Sequence, residues 1–237
     1  MDRILIPLDV ATSDAALAVA DTLRGAVGGF KVGMQLFTAA GPDVVRTLVD
    51  RGDRVFLDLK FHDIPNTVAG AVASATELGV WMLNVHAAGG RAMLEAAVRS
   101  AQTTSEKTGR PRPLVIAVTV LTSLDAAALA STGVHGSPLD QVVRLARLAQ
   151  DSGLDGVVAS PLETAAIRQA CGADFVVVTP GIRGGSAVSG ADDQQRTMAP
   201  AEAVAAGSSY LVVGRPITGA GDPRAAAERI GQEITSR

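Results

Sequence analysis

Asp58, Lys60 and Asp63 lie in the run DLKFHDIPNT, which extends from Asp58 to Thr67 and sets two carboxylates around one ammonium. An ammonium held by carboxylates can stabilise developing negative charge and then donate a proton. The same trio is costly to take out of water unless its members serve one another or a ligand. The apolar stretch Val55, Phe56, Leu57 comes directly before it, so the run begins where a buried strand would leave a sheet. Side chains alternate along a strand with period two. Asp58 and Lys60 are therefore expected on one face with Leu59 on the other, and Asp63 in the loop beyond the strand end.

Short β-branched runs recur along the chain and predict strands near Ile4–Leu8, Gly29–Val32, Val55–Asp58, Met82–Val85, Leu114–Thr119, Gly156–Ala159, Phe175–Thr179 and Tyr210–Val213. Ala-rich segments lie between them: Ser13–Ala26, Asp43–Asp50, Thr67–Leu78, Arg91–Glu106, Pro138–Gln150 and Pro161–Cys171. Their apolar positions return every three or four residues, as in helices lying on a sheet. Strand and helix alternating in this way over 237 residues predict an α/β chain, a (β/α)8 TIM barrel forming a single domain over 1–237. A doubly wound open sheet is the alternative, but no G-x-G-x-x-G follows the first strand.

A barrel collects its working residues at the C-terminal ends of its strands. Asp9 ends the first strand, Lys31 lies on the second, and Asp58 and Lys60 end the third. Thr122 follows the fifth, Arg183 the seventh, and Gly214 and Arg215 the eighth. Asp9, Lys31, Asp58 and Lys60 alternate in sign, so each charge can be buried beside an opposite one. The loops after the seventh and eighth strands often bind phosphate in barrels. Arg183 offers a donor fork, Gly214 lets backbone N–H groups approach an anion, and Arg215 adds charge beside them. A threonine at position 122 could equally cap a helix.

The long pattern D-x-K-x-x-D continued by His62, Pro65, Asn66 and Thr67, with TPGIR from Thr179 to Arg183, resembles the orotidine 5′-phosphate decarboxylase family over nearly the whole chain. The resemblance implies loss of CO2 from C6 of orotidine 5′-phosphate to give UMP, with no cofactor. Lys60 would stabilise and protonate the C6 carbanion, with Asp58 and Asp63 flanking the substrate carboxylate. Asp9 and Lys31 would contact the ribose, and Thr122 the pyrimidine edge. Arg183, Gln194, Gly214 and Arg215 would hold the phosphate, with Gln194 bridging to the base and Gln195 its neighbouring alternative. Asp63, Ile64 and Thr67 would enter the site of a second subunit, which implies a homodimer with shared active sites.

Magnesium-dependent lyases on the same barrel share D-x-K-x-x-D but look for a glutamate on the second strand. Here that place holds Lys31, which would repel a divalent ion. His62, His86 and His135 show no metal-ligand spacing with one another or with Cys171, so no metal is expected. A noncatalytic nucleotide-binding barrel is a further alternative, opposed by the intact Lys60 and its aspartates. A net charge of −3 argues against nucleic-acid binding. The lone cysteine fits a reducing cytosol, and no stretch reads as a membrane span or signal peptide. The expected setting is the cytoplasm.

Overall fold

The strand side chains divide between two environments, and the division follows the period-two alternation. In the computed structural model, which describes residues 2–182 and 198–235, Ile4, Ile6, Val55, Leu57, Leu83 and Val85 belong to one large apolar cluster with helix residues such as Ala16, Ala20 and Val72. Leu5, Phe56, Met82, Ile116 and Val178 form a second, smaller cluster. The first is the layer between strands and helices, and the second is the filling of a barrel.

The strands are β1 Ile4–Pro7, β2 Gly29–Gly33, β3 Val55–Phe61, β4 Met82–His86, β5 Leu114–Val118, β6 Gly156–Val158, β7 Val176–Thr179 and β8 Tyr210–Val212. They pair in parallel in chain order and close, β8 against β1. The fold is a (β/α)8 TIM barrel. The helices among the described residues are α1 Ser13–Leu23, α2 Met34–Ala40, α3 Asp43–Asp50, α4 Pro65–Leu78, α5 Gly90–Thr108, α6 Ala126–Ser131, α7 Pro138–Asp151, α8 Thr164–Cys171, α9 Pro200–Ala205, α10 Arg215–Thr218 and α11 Pro223–Thr235.

Local chemistry sets several boundaries. Thr12 caps α1 by accepting from the Ala15 N–H, and Ser137 caps α7 ahead of Pro138, whose lack of an N–H costs nothing in the first turn, where that donor has no helical partner. Pro65 opens α4, and Gly79 closes it at φ +82°, a conformation that a side chain resists. The segment expected as one helix over Pro161–Cys171 is divided. Glu163 turns back to the Ser160 N–H at 2.9 Å, which makes Pro161–Glu163 a 3₁₀ turn ahead of α8.

The third strand departs most from its expected form, running on to Phe61 instead of stopping at Asp58. Its register against β4 passes from Leu57↔Leu83 to Phe61↔Val85. Four steps along β3 thus match two along β4, and the strand bulges over Asp58–Lys60. Lys60 takes up the bulge with φ +52°, the one left-handed non-glycine among the described residues. Such a conformation costs about 1–3 kcal/mol and persists only where its surroundings hold it.

Candidate active site

Asp9, Lys31, Asp58, Lys60, Thr122, Gly214 and Arg215 all line one cavity of about 850 Å3 at the C-terminal end of the barrel. Its apolar floor includes Phe56, Val118 and Val158, inward positions on β3, β5 and β6. The alternation that places Phe56 inside the barrel carries on to Asp58 and Lys60.

The charged groups form a chain. Lys31 Nζ stands 3.4 Å from Asp9 Oδ1 and 3.4 Å from Asp58 Oδ2. Lys60 Nζ donates to Asp58 Oδ1 at 2.7 Å. The side chains of Lys31 and Asp58 are 12% and 13% exposed, while Lys60 is 28% and Asp9 61% exposed. The two inner groups therefore fix the array, and Lys60 presents its head group to the cavity. Burial pushes the Asp58 carboxyl up. The Lys31 and Lys60 charges, with hydrogen bonds from Lys60 and Asn84, outweigh it and hold the group below the ordinary carboxylate range. Asp58 is thus an anion whose two oxygens are already engaged by donors.

Small residues make room for this. A Cβ built on Gly33 would lie 3.1 Å from Lys31 Nζ and 3.7 Å from Asp9 Oδ1, so the missing side chain leaves space for the ammonium. Neither Gly33 nor Asn84 stands out in the sequence as a site residue. Asn84 is a fully buried amide on β4 that bonds both Asp58 and the Lys60 backbone. Its one sequence signal is a polar residue within the apolar run MLNV.

Asp63, Ile64 and Thr67 are exposed and lie outside the cavity wall. The Asp63 carboxyl accepts from the Ile64 N–H at 2.6 Å and, among the described residues, makes no ion pair with Lys60. Among the described residues, then, Asp58 alone forms an ion pair with the Lys60 ammonium. Ile64, 67% exposed, is a large apolar side chain facing solvent. Thr122 does not cap the following helix, since Asp125 accepts from the Ala128 N–H in that role. Arg183, Gln194 and its alternative Gln195 lie outside the described residues. His62 and His86 stack with ring centroids 5.1 Å apart beside the rim. Burial, then the His62 ring and the Lys60 charge, lower the His86 pKa below its ordinary value. Among the described residues no three His, Cys, Asp or Glu side chains form a metal-ligand set.

A model of the orotidine 5′-phosphate decarboxylase / HUMPS family matches residues 2–230. The chain belongs to this family. Curated relatives with the name orotidine 5′-phosphate decarboxylase include that of Moorella thermoacetica, 56% identical over 98% of this chain and 92% of the relative. Another, from Chromobacterium violaceum, is 53% identical over 98% and 91%. The crystal structure of the orotidine 5′-phosphate decarboxylase from Lactobacillus acidophilus superposes with a TM-score of 0.87 at 38% identity, covering 98% of both chains. As a family member the chain is an enzyme, a carboxy-lyase. Its strand ends carry the charged array of Asp9, Lys31, Asp58 and Lys60.

Proposed function

We propose that this chain decarboxylates orotidine 5′-phosphate to UMP in pyrimidine biosynthesis, using Lys60 as proton donor and no cofactor. The observation that carries the reading is Lys60 Nζ, hydrogen-bonded to Asp58 at 2.7 Å and presented to a cavity large enough for a nucleotide.

The bond that breaks joins C6 of the pyrimidine to its carboxylate carbon. CO2 leaves, the electron pair stays on C6, and the Lys60 ammonium transfers a proton there. The resulting amine is reprotonated from water. A carbanion at C6 has no adjacent π system to spread into, so positioned charge must do most of the stabilising. Asp58 supports this as the anchor of Lys60, since its oxygens accept from Lys60 and Asn84 and face Lys31. Fixed in advance, these charges need little reorganisation as the carbanion forms.

Asp9 and Lys31 are assigned to the ribose and Thr122 to the pyrimidine edge. Gly214 and Arg215 take the phosphate, with Arg183 and Gln194 completing that group. Gly214 lines the cavity and, lacking a side chain, leaves its backbone N–H open to an anion. Asp63, Ile64 and Thr67 act on the site of a second copy, which makes the active form a homodimer. Their exposure, and their place outside their own cavity, support this. The whole of residues 1–237 serves as one catalytic domain, and the setting is the cytoplasm.

Release of CO2 from orotidine 5′-phosphate tests the reading. The native protein should turn over with or without EDTA, because Lys31 fills the place of a metal-binding carboxylate. Lys60→Ala should lose all but a trace of activity while still binding UMP. Substantial turnover by Lys60→Ala would remove it as proton donor. A loss on chelation that a divalent ion restores would move the chain toward metal-dependent lyases.

A further inference from the structure

Asn84 has no exposed surface and sits beneath the cavity, outside its wall. A buried primary amide needs partners for its donors and its acceptor. Asn84 finds them in the charged array. Its Oδ1 accepts from the Lys60 backbone N–H at 2.8 Å, and its Nδ2 donates to Asp58 Oδ1 at 2.7 Å. Reversing the amide would set NH2 against N–H and oxygen against carboxylate, so its neighbours dictate its orientation.

Both partners require such support. Lys60 is left-handed at φ +52°, and its N–H falls inside the bulge where the β3–β4 register slips. The Asn84 side chain takes the place of a strand carbonyl there. Asp58 Oδ1, which receives Asn84, also receives Lys60 Nζ at 2.7 Å. One amide thus ties the backbone and, through Asp58, the head group of the same lysine.

We propose that Asn84 is a positioning residue for decarboxylation, locking the bulged Lys60 backbone and the Asp58 carboxylate into one unit so that the ammonium meets C6 in fixed geometry. This rests on Lys60 as proton donor. Asn84 itself does not touch substrate.

The groups facing position 84 are Asp58 and Lys60 from β3. Lys31 from β2 reaches the far oxygen of Asp58, His86 follows along β4, and the paired residue on β5 is Ile116. Asn84→Ala removes both bonds, and kcat should fall by about a hundredfold, the effect of a small misplacement of a reacting group. The Kd for UMP should stay within about threefold, because no substrate contact is lost. Asn84→Asp keeps the shape and the acceptor for Lys60 but opposes Asp58 with a second carboxylate. Once protonated, that acid can donate to Asp58 as the amide does. Its kcat should therefore rise as pH is lowered from about 8 to about 6, unlike that of the native enzyme.

A purely structural role would change kcat and UMP affinity together and leave the pH profile alone. Asn84→Ala with kcat within about threefold of native overturns the proposal. If that variant does not fold, Asn84→Asp with native kcat and pH profile does so. On the native protein, rapid hydrogen exchange at the Lys60 amide would overturn it without any variant. Turnover by Lys60→Ala would place the error in the proton-donor role. An inactive Lys60→Ala beside an unimpaired Asn84→Ala would place it at Asn84.

Discussion

Lys31 extends its ammonium into the space that Gly33 leaves empty, with a Cβ at Gly33 standing only 3.1 Å from Lys31 Nζ. Both residues lie on the inward face of β2, and Gly33 pairs in register with Asp58. The backbone at Gly33 has φ −94°, open to any residue. Its value lies in the missing side chain. Gly33→Ala should displace Lys31 from Asp9 and Asp58 and lower kcat/KM by about tenfold to a hundredfold. Stability should fall by only about 1 kcal/mol. Steady-state kinetics beside thermal unfolding would measure both, and unchanged kinetics would show that Lys31 has room to spare.

Asp58→Asn should cost stability on the order of 3 kcal/mol at neutral pH, because Lys31 and Lys60 lose the anion between them. The cost should depend on pH. The folded-state pKa of Asp58 lies below its ordinary value, so its stabilisation is full above the unfolded pKa of about 4 and fades as pH falls through the folded value. Urea unfolding at neutral and strongly acid pH should show the native and variant proteins converging at the acid end. A gap that stayed constant would mean that Asp58 gains nothing from its partners.

Asp63 should act across a subunit boundary. Lys60→Ala and Asp63→Ala, each inactive alone, should regain activity when mixed, since one site of a mixed dimer then carries both lesions and the other carries none. With subunit exchange demonstrated by native mass spectrometry, absence of recovery would return Asp63 to its own chain's site.

Arg215 should act on the phosphate and on nothing nearer the reaction. Arg215→Ala should lower kcat/KM for orotidine 5′-phosphate by about tenfold to a hundredfold, the range for a charged hydrogen bond. For the nucleoside lacking phosphate it should change little. Equal losses on both substrates would assign Arg215 to the cavity's architecture instead.

Much of the fold was legible without coordinates, because a barrel needs eight apolar strands and amphipathic helices, and both periods are written in residue order. The expected helix Asp43–Asp50 matches α3 to the residue, and each expected strand differs from the observed one by a single residue at one end, except β3, which runs on to Phe61. The period-two rule also gave the shared face of Asp58 and Lys60, and the strand-end rule gathered Asp9, Lys31, Thr122, Gly214 and Arg215 around one cavity. Short helices such as α2 and α10 were missed, since one or two turns carry too little periodicity to register.

Tertiary structure alone decided how the site is held. Nothing local to Lys60 calls for a left-handed backbone, which arises from a register slip against a strand 24 residues away, where Asn84 supplies the bond that the ladder lacks. Gly33 looks like any strand-end glycine until the Lys31 ammonium is seen beside it. Sequence determines which side chains face the barrel's interior because alternation is a property of a single strand. Distances between charges depend on how neighbouring strands are registered and bulged, and that is settled only when the barrel closes.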